Sequence, residues 1–183
     1  MSFESYYWKK KLKKDVAFIL KQTKINMSEL NENELDEVIS EVKIKLFIIA
    51  YSLRKLIDEN KVSDHFSEKL LTAVRYSKNE SKINSRNKFF FERHYNLDSP
   101  QQGTLKIRKA CNQLIHSYIF ELCRNKGQLH SILFNSDNSK HLFLDEIDIK
   151  DFLDIVLEFS ENYPSEIHMV YCKETEDYKT TCS

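Results

Sequence analysis

From Leu35 to Leu56 the chain repeats an apolar side chain every four and three residues: Leu35, Ile39, Val42, Leu46, Ile49, Leu53 and Leu56. That alternation keeps one face of a 3.6-residue helix apolar over about six turns, whereas a strand repeats every two residues. The segment therefore predicts a long helix buried along one seam. So regular a seam also suits a helix-mediated dimer. Asn31 and Asn33, in the polar run before it, are candidate N-caps. Two glycines and two prolines in 183 residues again favour long helices over many tight turns.

The neighbouring segments read the same way. Trp8, Leu12, Val16, Ile19 and Leu20 stand at helical spacing, with lysines on the other face. Those lysines suit a solvated surface, RNA phosphates or a membrane surface. Asp64 caps an expected helix in which Phe66, Leu70, Leu71 and Val74 repeat, and residues 104–123 give another. Two short strands around an Asn135–Lys140 turn form an expected hairpin near 131–144. A last helix carries Phe152, Ile155, Val156 and Phe159 on one face and stops before Pro164. The expected fold is mainly α: a helical bundle with a small β-hairpin near the C-terminal helix, one domain over 1–166, then a loose polar tail, 167–183.

Twenty-eight basic and 28 acidic residues leave no formal net charge, so any attraction for nucleic acid must be local. Gly103 and Gly127 build no glycine-rich phosphate loop, which argues against dinucleotide folds and P-loop enzymes. Cys111, Cys123, Cys172 and Cys182 form no C-x-x-C pair. With a lysine-rich start in place of an apolar leader, they read as reduced thiols in a cytoplasmic protein. The run "LFIIAYSL" is too short for a membrane span.

Two segments carry candidate chemistry. In "RKACNQLIHSYIFELC", Ile107, Cys111, Leu114, Tyr118 and Leu122 form the core face of the expected helix. Arg108, Asn112 and His116 fall on a neighbouring stripe, with Lys109 two turns before His116. An imidazole can take a proton from a 2′-hydroxyl, a guanidinium or ammonium can hold the scissile phosphate, and an amide can orient the imidazole. No metal or other cofactor is required. The bland alternative is a hydrogen-bonded cluster pinning helices together. In the long connection after residue 77, Lys82, Arg86, Lys88 and Arg93 alternate with Phe89, Phe90, Phe91 and Tyr95. Cations hold phosphates and aromatic faces stack on unpaired bases. The alternative there is a flexible polar loop docked by its phenylalanines, with a short extended piece at 89–91.

"CNQLIHS" resembles the R-φ-x-x-x-H type motif of HEPN domains. The resemblance implies an all-α bundle, often dimeric, common in bacterial toxin–antitoxin and phage-defence systems. Members with the motif are commonly metal-independent endoribonucleases; others bind RNA, nucleotides or protein partners without catalysis. On that pattern His116 matches the motif histidine and Asn112 the polar residue. Cys111 stands where the arginine belongs, leaving Arg108 or Lys109 as phosphate holder. Arg54 and Lys55 can complete the site from the long helix. The resemblance thus implies a homodimeric RNA-binding nuclease; the alternative is a non-catalytic module for a protein partner or RNA.

Scattered histidines (His65, His94, His130, His141, His168) lack zinc-ligand spacing. Asp145, Glu146 and Asp148 read as a solvated cap for the last helix. Cys111, on the apolar face, reads as an inert thiol.

Overall fold

The computed structural model describes residues 4–183. Its first two helices follow the sequence closely. α1 spans Ser5–Gln22 and α2 spans Glu32–Asp58. Asn31 caps α2 in a capping box: its side chain accepts from Glu34 N at 3.0 Å, and Glu34 Oε2 accepts from Asn31 N at 3.1 Å. Val42, Leu46, Ile49, Leu53 and Leu56 of the seam are fully buried. Each such side chain stabilises the fold by roughly 1.5–3 kcal/mol.

The mainly α bundle is not what forms. Five antiparallel strands make a sheet in the order β2-β1-β5-β4-β3, from β1 (Leu70–Ser77), β2 (Gln101–Lys106), β3 (Ser117–Asn125), β4 (Gln128–Ser136) and β5 (Phe143–Asp148). The protein is therefore mixed α/β, and the all-helical bundle implied by the HEPN resemblance is overturned. The helix expected after Asp64 shrinks to α3 (Asp64–Ser67) and continues as β1. The helix expected over 104–123 shrinks to α4 (Ile107–Ile115), with β2 before it and β3 after it. In both, short apolar runs fit either period. "LLTAVRYS" and "SYIFELC" are rich in β-branched and aromatic side chains, and pairing with neighbours on the pleated surface decides for strand.

The expected hairpin is present as the β4–β5 pair, and α5 (Ile149–Glu161) is the last helix. Asp148 caps α5 by accepting from Lys150 N and Asp151 N. The tail folds into a two-stranded hairpin, β6 (Ile167–Cys172) and β7 (Asp177–Cys182), tied down by Cys182 N donating to Asp64 Oδ2 at 3.1 Å.

The sheet has two covered faces. Ile132, Phe134, Leu71, Ala73 and Ile147 point toward the helices. α4 and α5 lie against the strands; α2 packs on α4 and α1 on α5. On the other face Leu133, Leu144 and Ile119 meet Ile83 and Tyr95 from the 78–100 connection. That connection is thus anchored by Ile83 and Tyr95, while Phe89 and Phe90 stay exposed. No strand forms at 89–91; a single 3₁₀ turn covers Phe91–Arg93. Tyr95 Oη donates to Lys140 O and accepts from Asn135 Nδ2, both at 2.7 Å, so this second face also buries satisfied polar groups.

β3 and β4 join through a two-residue turn at Lys126 (φ 50°) and Gly127 (φ 81°), the type I′ geometry that matches strand twist. Gly127 is required twice over. A Cβ there would sit 2.3 Å from Asn26 Oδ1, where Met27 N donates to Gly127 O at 2.7 Å. No described helix is long and apolar enough to cross a membrane.

Candidate phosphate-binding cleft at the α4–β3 junction

α4 runs directly into β3, so His116 sits between helix and sheet, its backbone N–H bonded to Asn112 O at 3.1 Å. Ser117 at the start of β3 pairs with Ser136 at the end of β4. That register carries the turn after β4 to the same end of the sheet as His116. α2 crosses α4 and brings Arg54 to the same place. The result is an open cleft of about 540 Å³ lined by Arg54, Lys109, Asn112, Gln113, His116 and the 136–138 turn.

His116, Lys109 and Asn112 are exposed, and their side chains make no hydrogen bond or ion pair with another described residue. Gln113 differs: it is 5% exposed, and its Oε1 is buried without a partner among the described residues. A buried amide oxygen with nothing to accept from costs about 1–3 kcal/mol, and this one belongs to a residue of the cleft lining. The cleft contains one carboxylate, Asp137. Lys140 Nζ lies 2.6 Å from it and holds its carboxyl below the usual range.

Arg108 does not line the cleft. Its guanidinium donates to Asp58 Oδ1 at 3.0 Å, while Arg54 Nε donates to Asp58 Oδ2 at 2.8 Å. One carboxylate shared by two arginines leaves a net positive charge at the rim. Lys55 pairs with Glu59 at 2.5 Å, away from the cleft lining. Lys82, Arg86 and Arg93 are exposed on the 78–100 connection; Arg93 stacks on Phe90 with Cζ 4.8 Å from the ring centroid. Lys88 reaches Tyr118 O at 3.2 Å.

Cys111 is fully buried, and burial pushes its thiol up to about 12, which removes it as a nucleophile. Asp145 is buried and gripped by Arg75 through two hydrogen bonds, at 2.7 and 2.9 Å, so it is a structural ion pair rather than part of a solvated cap. Of the α1 lysines, Lys9 is buried, donating to Lys61 O at 2.8 Å and to Asn162 O under the Tyr163 ring. Lys11 and Lys13 pair with Asp15 and Glu161. That helix therefore does not present a free basic face along its whole length.

Gln113 went unnoticed in the sequence, although a signal exists. Lys109, Asn112, Gln113 and His116 stand at i, i+3, i+4 and i+7, the spacing of a single helical stripe made here of polar groups.

No profile of a known protein family matches the chain, and neither curated proteins nor solved structures include a detectable relative.

Proposed function

We propose that the cleft at the α4–β3 junction binds the phosphate backbone of RNA and cleaves it without a metal. The supporting observation is the convergence of four side chains lacking partners among the described residues or carrying an unmatched polar atom — Lys109, Asn112, Gln113 and His116 — beside the Arg54 guanidinium. Lys109 and Arg54 hold the phosphate and offset the charge that grows on it in the transition state. Asn112, whose side chain makes no bond to His116 in this structure, takes up the orienting bond to the imidazole once RNA is bound. His116 removes the 2′-hydroxyl proton as O2′ attacks phosphorus. The P–O5′ bond breaks, O5′ takes a proton from the solvent filling the open cleft, and the products carry 2′,3′-cyclic phosphate and 5′-hydroxyl ends. What the chain has in common with HEPN proteins, on this reading, is the local cation–amide–histidine constellation, working in a bacterial toxin or phage-defence setting.

The protein is proposed to work in the cytoplasm, where its four unpaired cysteines stay reduced. It is also proposed to pair with a second copy through the outward face of α2. There Ile44, Phe47, Ile48 and Tyr51 are 40–59% exposed at i, i+3, i+4 and i+7. The stripe is symmetric about the point between Phe47 and Ile48. An antiparallel copy therefore sets Phe47 on the partner's Ile48 and Ile44 on the partner's Tyr51.

The test is incubation of single-stranded RNA with purified protein in EDTA. Cleavage that disappears in His116→Ala, with the circular dichroism spectrum unchanged, is the expected result. Equal cleavage by that variant removes His116 from the chemistry. One observation favours a second reading, RNA binding without cleavage: the Arg108 guanidinium is held by Asp58 instead of facing the cleft. Salt-sensitive binding with intact RNA would select it.

A further inference from the structure

A second cavity has a volume of about 290 Å³. It is lined by Lys43, Lys88, Phe89 and residues 117–121 of β3, and Ser117 is the residue next to His116. Consecutive residues, His116 and Ser117, thus line the two cavities. Resting on the reading of the cleft as an RNA site, we propose that this second cavity is a base-stacking subsite, with Phe89 as its platform, that restricts the ligand to unpaired RNA.

Phe89 is 67% exposed, yet it does not sit on a loose loop. Asn87 Oδ1 accepts from Asn84 N at 2.8 Å, Asn87 Nδ2 donates to Lys82 O at 2.9 Å, and Lys88 N donates to Asn84 O at 3.1 Å. Below the tip, Tyr95 and Ile83 are anchored in the second core. An aromatic ring held out in water by an ordered loop forgoes burial worth roughly 1.5–3 kcal/mol, which a stacked base returns.

The surrounding charge suits a nucleic-acid strand. Lys88 Nζ lies 5.5 Å from the Phe89 centroid and 5.0 Å from that of Tyr118. Glu121, the one acid in the lining, is neutralised by Lys43 at 2.6 Å. The loop sequence 78–93 adds Lys82, Arg86 and Arg93 against only Glu80 and Glu92. A protein strand adding to the open edge of β3 is a poorer occupant. Lys88 already occupies the carbonyl of Tyr118 on that edge, a device that blunts edge pairing.

A stacking platform needs a base with a free face, which a duplex withholds. On this reading a phosphate sits at His116 and an unpaired base of the same strand on Phe89.

The experiment measures fluorescence anisotropy of a labelled RNA oligomer, 2′-O-methylated so that it stays intact, with the full chain and its variants. Phe89→Ala and Phe89→Leu should each weaken binding about tenfold or more, Phe89→Trp should retain it, and duplex RNA should bind more weakly than single strands. Loss in Ala with retention in Leu means apolar packing and overturns stacking. Equal binding by all Phe89 variants, with Lys109→Ala still weakened, overturns the subsite and leaves the cleft reading standing. No binding of RNA by the wild-type chain overturns both. Preference for duplex overturns the restriction to unpaired RNA.

Discussion

Individual side chains here divide into those held by the fold and those left waiting. Cys111 belongs to the first group, and its burial has a measurable sign. Its thiol ionises near 9 when free and is pushed up to about 12 when folded. Between those values the unfolded chain releases a proton that the folded chain keeps, so stability falls as pH rises. Tyr95, pushed up to about 12 by burial, adds a loss of the same sign. Lys9 acts oppositely. Burial first, then the charge of Lys61, lowers its ammonium to about 8. From about 8 to 10.5 the unfolded chain holds a proton that the folded chain has released, and stability gains. Each group contributes a slope of at most about 1.4 kcal/mol per pH unit. Urea midpoints should therefore hold or rise from pH 7.5 to 9 and drop by pH 11, with a smaller drop in Cys111→Val. A monotonic rise through pH 11 would contradict the burial of these groups. In the native state an alkylating reagent should leave Cys111 unmodified.

At the scale of elements, α2 makes the clearest demand. Its inner seam is buried, while its outer stripe, Ile44 to Tyr51, leaves four large apolar side chains in water. Sedimentation at micromolar concentration should give a dimer for the wild-type chain and a monomer for Phe47→Asp, with little change in helicity. A wild-type monomer at 100-fold higher concentration than the RNA assay requires would leave the stripe without its proposed occupant.

The same helix shows what was legible in the sequence. The apolar repeat from Leu35 to Leu56 admits one reading, the 27-residue α2, and α1, α5 and the β4–β5 pair also form where the sequence places them. α4 and its flanking strands were hidden. Over 104–123 the apolar residues fit a helical wheel, but only nine residues can be helical once "QQGTLK" and "SYIFELCRN" pair with β1 and β4. The β1–β2 pairing spans the whole 78–100 connection, which no local period encodes, whereas β3–β4 is a tight hairpin through Lys126 and Gly127. The cleft was legible in part for the same reason. His116, Asn112 and Lys109 share it because they share α4. Arg54 and the 136–138 turn arrive through packing and strand register. Arg108, one residue from Lys109, is turned to Asp58 by the approach of α2.

For the molecule as a whole, balanced charge still leaves some cations without an ion pair. Among the described residues many α1 and α2 cations are spent on ion pairs, whereas Lys109, Lys82 and Arg86 have none. RNA binding should therefore be salt-sensitive despite a sequence pI near 7.0. The most direct test of the central claim is a ¹H–¹⁵N NMR titration of the labelled protein with an uncleavable single-stranded RNA. The account predicts that the largest shifts fall on Lys109, Asn112, the Gln113 side-chain amide, His116 and residues 136–138. Shifts confined to other surfaces, or none at saturating RNA, would contradict it.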